Sequence, residues 1–187
     1  MTDDRGPWAT THSGTNVHVF DPSIDEIKLS DIAHHLSMIC RYNGAADQFL
    51  SVAEHSVMVS AALETEYADT ELSFQGLMHD AGEYLLGDII RPIKVKVPLF
   101  SEVENRFLKQ AICPRYAMEW PFDYRVAAMD MRVCATEKRD LLPNSGEWHN
   151  MPDPLDDFSF GTTLTPAQAK THFLKAFDLL WERREAL

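Results

Sequence analysis

The chain has 187 residues, of which 45% are hydrophobic, and its 29 acidic and 17 basic side chains give a formal net charge of -12. That length suits one domain with a real core and is short for two, and the acidic excess argues against a broad surface for duplex DNA or an anionic membrane. No apolar run is long enough to span a bilayer, MTDDRGPWATTHSG lacks the pattern of a signal peptide, and Cys40, Cys113 and Cys134 are too scattered for a disulfide framework, so a cytoplasmic protein with reduced core cysteines is expected.

The first 22 residues carry little helical pattern. Thr15 to Phe20 alternates loosely between Gly14 and Pro22, which predicts a short strand or hairpin arm. Helical periodicity begins in LSDIAHHLSMICRYNG, with Ile32, Leu36 and Ile39 on one face, Ser30 or Asp31 as the cap and Gly44 beyond the end. His34 and His35 in this helix read as surface or packing residues. Ser51 with Glu54 is a capping box for the next helix, where Val52, Ala53, Ser56, Val57, Ser60 and Ala61 offer a face of small and branched residues and His55 lies in the first turn. A third helix runs from about Thr70 to His79, with Leu72, Leu77 and Met78 as core positions and Gly76 marking close packing.

Gly87 ends a short helix, Pro92 and Pro98 bracket a basic loop, and Ser101 to Ala111 forms another short helix with Val103, Phe107 and Leu108 facing in. CPRYAMEWPF reads as a connector. Asp123 caps a long helix that continues to Leu142, before Pro143, and its Asp130 lies in an otherwise apolar stretch where an ionised carboxylate needs a partner. Asn144 to Thr163 is a long loop. Thr165, Pro166 and Gln168 then open a terminal helix, Ala167 to about Arg184, that buries Phe173, Leu174, Phe177 and Leu180. The sum is an all-α bundle of about six helices, one domain over 1–187 with an N-terminal arm over 1–25.

The densest chemistry lies in LMHDAGEYLLGDIIRPIK, Leu77 to Lys94. Glu83 follows His79 by four residues and Asp80 by three, so on one helix the three crowd a common face. Four ligand candidates come from three helices: His55, the adjacent His79 and Asp80, and Asp130. Two neutral imidazoles and two carboxylates can hold one divalent ion and leave positions open; Zn²⁺, Co²⁺, Mn²⁺ and Fe²⁺ all suit such donors.

The order His, then His-Asp, then Asp resembles that of the HD-domain phosphohydrolases, all-helical metal enzymes. DIAHHLSMICRYNG, SVAEHS, LMHDAGEYLLGDIIRPIK and AAMDMRVCATEKRDLL are most similar to its 5'-deoxynucleotidase-like branch and to bacteriophage relatives, some of which are dATP triphosphohydrolases. The resemblance implies His55, His79, Asp80 and Asp130 as metal ligands, Glu83 as the group that activates or orients water, and Asp88 as the acid near the departing 5'-oxygen. It implies Arg41 and Lys94 on phosphate and Tyr42 against the deoxyribose. A small deoxynucleotide substrate is then expected, with dATP slightly ahead and a 5'-deoxynucleotidase or a non-catalytic nucleotide-binding protein as alternatives. Neither a nucleic-acid polymer nor a membrane is an expected partner, and the family implies a homo-oligomer. Two positions depart from the pattern: Ala45 stands where many phage relatives have histidine, and Tyr84 replaces the aspartate of the HDxxED motif of guanosine tetraphosphate hydrolases.

Overall fold

The computed structural model describes residues 4–186. The expected hairpin arm is present: β1 (Ala9–Thr10) pairs antiparallel with β2 (Asn16–Val17), inside the segment predicted as a strand. What fastens the arm to the bundle is Asp31, whose carboxylate accepts hydrogen bonds from the Thr11 hydroxyl, the Ser13 hydroxyl and the Ser13 amide, each at 2.8 Å. Neither Ser30 nor Asp31 is therefore a cap, because α1 (Leu29–Met38) has already begun at Leu29. The same helix stops well short of Gly44. Beyond Met38 the chain turns extended, and backbone bonds from Val52 N to Ile39 O (3.1 Å) and from Arg41 N to Leu50 O (2.8 Å) pair it with the entry to the next helix.

That next helix, α2 (Val52–Tyr67), opens on Ser51, whose hydroxyl accepts from the Glu54 amide. The expected box is not closed, because the Glu54 carboxylate instead accepts from the Leu164 amide at 3.0 Å and ties α2 to the chain before the last helix. α3 (Thr70–Met78) packs directly on α2. Gly76 permits this approach, since a Cβ there would lie 2.5 Å from Leu63 Cδ1. On one side of this pair lie α1 and α9 (Pro166–Glu185), with the capping box of Thr165 and Gln168 formed as expected and Phe173, Phe177 and Leu180 buried; Leu174 stays partly exposed. On the other side lies α8 (Tyr124–Leu141), capped by Asp123, where Val126, Met129 and Val133 meet Val59, Leu63 and Leu72.

Three further differences bear on the site. α3 ends at Met78, so His79 to Gly82 form a separate turn before α4 (Glu83–Leu86), and the His-Asp pair does not share one helix with Glu83. The basic stretch expected to be a loop is α5 (Arg91–Lys96), with Pro92 in its first turn, where the missing N–H costs nothing. α6 (Leu99–Phe107) begins before Ser101 and passes through a π-helical segment, Leu108–Ile112, into α7 (Cys113–Arg115), which takes the start of the expected connector. The result is an all-α bundle with a short N-terminal hairpin. Among the described residues, no helix is long and apolar enough to cross a membrane.

Phe74 on α3 is fully buried, its ring 5.2 Å from that of Phe177 and 5.9 Å from that of Trp181, with the Arg184 guanidinium 4.2 Å from its centre. Phe74→Ala is expected to cost about 3–5 kcal/mol in urea unfolding, the range for a large aromatic removed from a packed core. A loss under about 1 kcal/mol would show that α9 does not depend on this contact.

Candidate metal centre

Three elements deliver the ligand candidates to one place. His55 comes from the first turn of α2 and is fully buried, His79 and Asp80 come from the turn after α3, and Asp130 comes from the middle of α8. His55 Nε2 lies 3.0 Å from Asp130 Oδ1 and 3.6 Å from Asp80 Oδ2, and His79 Nε2 lies 3.3 Å from Asp80 Oδ1 and 3.8 Å from Asp130 Oδ1. All four residues chosen from the sequence are thus brought together. The turn that presents His79 and Asp80 is held against α6 at Gly82, where a Cβ would come within 3.2 Å of the Glu104 and Leu108 side chains.

Both imidazoles are fixed through their other nitrogen. His55 Nδ1 donates to Glu137 Oε1 and His79 Nδ1 donates to the Gly76 carbonyl, each at 2.7 Å. A proton on Nδ1 leaves the neutral ring with a lone pair on Nε2, and in both residues that buried atom, although close to aspartate oxygens, makes no hydrogen bond among the described residues. Two lone pairs then face two carboxylates, an arrangement that calls for a cation or extra protons among them. His55, His79 and Asp80 offer ligand atoms within 4.8 Å of one another, as do His55, Asp130 and Cys134, so these residues could hold a metal ion.

Glu137 was missed by the sequence reading. It is fully buried, and its carboxylate accepts from His55 Nδ1, from Arg41 Nε at 3.2 Å and from the Tyr42 hydroxyl. The signal was available: Asp130, Cys134 and Glu137 are spaced i, i+4, i+7 and share one face of α8. Cys134 is likewise no remote core residue, since Arg41 Nη2 reaches its sulfur at 3.2 Å and that sulfur is 3.5 Å from Asp130 Oδ1. Arg41 is buried and also places Nη1 3.6 Å from Asp80 Oδ2, so it touches the ligand set directly. Tyr42 reaches the site through Glu137 and through Arg41, whose guanidinium lies 5.2 Å from the centre of the tyrosine ring. It and Asn43 are left-handed, with φ of 56° and 51°, a conformation that costs an ordinary side chain of order 1 kcal/mol. The Tyr42 ring packs 5.8 Å from Trp148 of the long loop.

Glu83, Asp88 and Lys94 form the flank of the site. Lys94 Nζ is 2.8 Å from Glu83 Oε1 and 2.7 Å from Glu104 Oε2, the second acid being one that the sequence reading did not single out. Burial and then the charge of Asp80 push Glu83 up to about 9 against the pull of Lys94. Asp88, beyond Gly87, is also pushed up by burial, although Arg41 draws it down. At Asp130 the balance differs: burial opposes its ionisation, but the two histidines hold it well below the ordinary carboxylate range.

Burial disfavours the charged form of His79, yet Asp80 and then Asp130 prevail and raise its pKa from 6.5 to about 9. A group that binds its proton more tightly when folded stabilises the fold fully below pH 6.5 and loses that contribution as pH rises through about 9. Metal-free protein is therefore expected to unfold at lower urea concentration at pH 9 than at pH 6.5. A bound ion requires the neutral imidazole and reverses that slope. Midpoints that do not move with pH in either form would contradict this assignment.

No protein-family model matches the chain. It is 32% identical over 177 residues to the protein named "Uncharacterized protein YfdR" of Escherichia coli, an alignment covering 94% of this chain and 96% of that protein. It is also 37% identical over 116 residues to "Uncharacterized protein RCAP_rcc00048" of Rhodobacter capsulatus, 59% of each chain. With similarity extending over almost the full length of both proteins, the chain belongs to the family of the Escherichia coli protein YfdR.

Proposed function

We propose that this protein is an HD-type metal-dependent phosphohydrolase that cleaves the bond between the 5'-oxygen and the α-phosphorus of a 2'-deoxynucleotide in the cytoplasm, with dATP as the leading substrate. The observation that supports it most is the pair of buried Nε2 atoms, each lacking a hydrogen-bond partner and each beside an aspartate, with Nδ1 of both rings already committed. This donor set fits one divalent ion of the Zn²⁺, Co²⁺ or Mn²⁺ kind held by His55, His79, Asp80 and Asp130. Such an ion would supply positive charge against phosphoryl oxygens and would acidify water.

The chain's own residues account for the rest. Glu83 adjoins Asp80 on the flank of the site and keeps one buried carboxylate oxygen, Oε2, without a partner, suited to taking a proton from water. Its raised pKa would fall once positive charge is added nearby, so its service as a base is tied to a loaded site. Arg41 is anchored by Glu137 through Nε and has further N–H groups to offer to a phosphate, while that anchor fixes its plane. Asp88, with its pKa raised by burial, is suited to return a proton to the departing 5'-oxygen. Tyr42 and Trp148, packed together, offer an aromatic wall beside the sugar.

Incubation with dATP, dAMP, dGTP and ATP in Mn²⁺, Co²⁺ or Zn²⁺, followed by chromatography with mass detection, is expected to yield deoxyadenosine and intact triphosphate from dATP, and nothing from the Asp80→Ala variant. Absence of turnover with every nucleotide and metal would contradict the proposal. Glu83→Gln is expected to lower kcat by about 10²–10⁴-fold with metal content unchanged. Glu137→Gln should weaken metal affinity by about 10–100-fold, because it loosens the ring that presents His55 Nε2; titration of an indicator-bound metal measures this, and wild-type affinity would argue against the role.

A further inference from the structure

We propose that the ammonium of Lys94 stands in the second cation position of a centre laid out for two cations, and that this lysine is what limits the protein to one divalent ion. The inference rests on the metal reading above. Asp80, Glu83 and Glu104 each offer a carboxylate oxygen, and the three atoms lie within 4.8 Å of one another. They come from the turn after α3, from α4 and from α6. Asp80 belongs to this group and to the histidine group at once, so its carboxylate is shared between the two.

A cluster of acids alone would not define a site. Here Glu83 is only 3% exposed and its Oε2 has no hydrogen-bond partner, so a buried acceptor remains unspent within the cluster. The position is nevertheless not short of positive charge. Lys94 enters from α5 and puts Nζ 2.8 Å from Glu83 Oε1 and 2.7 Å from Glu104 Oε2. A divalent ion binding the same oxygens, at about 2.0–2.6 Å, would lie against that ammonium, and like charges exclude one another there. The tethered cation supplies one positive charge whatever the metal supply in solution. Two of its three N–H groups are committed to Glu83 and Glu104, and the third is left for an anionic substrate oxygen. Because the donors are all carboxylate oxygens, the ion that Lys94 displaces would be hard, of the Mn²⁺ or Mg²⁺ class, in contrast to the imidazole-bearing centre beside it.

The test counts ions. Wild type, Lys94→Met, Lys94→Arg and the double variant Lys94→Met with Glu104→Gln are loaded with excess Mn²⁺, desalted, and measured by elemental analysis and by electron paramagnetic resonance. One ion per chain is expected for wild type and for Lys94→Arg, which keeps the charge. Two are expected for Lys94→Met, with a spin-coupled signal that wild type lacks, and one again for the double variant. Lys94→Ala is counted in place of Lys94→Met if circular dichroism shows that the latter does not fold. A folded charge-removed variant with one ion, or a wild type with two, overturns the proposal while leaving the first centre standing. A wild type that holds none overturns the metal reading and this inference together.

Discussion

A carboxylate with no exposure to water survives in a folded protein only where positive charge and hydrogen-bond donors surround it, and Glu137 is such a group. His55, Arg41 and Tyr42 all donate to it. Burial works against its charge, yet Arg41 and then His55 hold its pKa below the ordinary glutamate value. The dependence runs both ways. Without Glu137 the His55 ring has no fixed tautomer, Arg41 is a buried cation left with Asp80, Cys134 and the face of Tyr42, and the left-handed turn at Tyr42 loses its side-chain hydrogen bond. Breaking a buried pair of this kind by removing one member typically costs about 3–5 kcal/mol, more than a surface ion pair by several-fold.

The backbone serves the same arrangement. Ending α3 at Met78 frees His79 to donate from Nδ1 to the Gly76 carbonyl, a bond that turns Nε2 toward Asp130. The next turn then presents Asp80 to both histidines, and α4 starts with Glu83 already buried against Lys94. α2 and α8 are packed through Val59, Leu63, Val126 and Val133, so the two helices that carry His55 and Glu137 are fixed by the core and not by the polar bonds alone. The site is accordingly a consequence of rigid helices meeting, with one irregular turn inserted where two neighbouring residues must face the same point.

Much of this was legible in the chain. Periodicity and caps placed α2, α8 and α9, because each has a polar cap and a long apolar face, and Gly76 announced a close helix approach that a Cβ would obstruct. Asp130 stood out because an ionised carboxylate in an apolar stretch needs a partner, and His55, His79 and Asp80 because their order with it resembles the HD pattern. Glu137 did not, since it lies in the charged-looking run TEKRD and only its i+7 spacing from Asp130 reveals the inward face. Glu104 was hidden in the same way on amphipathic α6. The early end of α1 follows from pairing with a later segment, Arg41 N to Leu50 O, and the break at His79 goes with a local side-chain bond, His79 Nδ1 to Gly76 O; helix propensity encodes neither. Lys94 was singled out as a phosphate contact, but its pairing with two acids depends on α5 and α6 folding toward α4.

The central claim is a location: one divalent ion between Nε2 of His55, Nε2 of His79 and the two aspartates. A crystal of the protein grown with Mn²⁺, measured near the manganese absorption edge, tests it most directly. The account predicts one strong anomalous peak in contact with His55 Nε2, His79 Nε2, Asp80 and Asp130, with Lys94 still between Glu83 and Glu104. A map with no peak there, and with the His55 and His79 nitrogens bonded instead directly to the aspartate carboxylates, would contradict it.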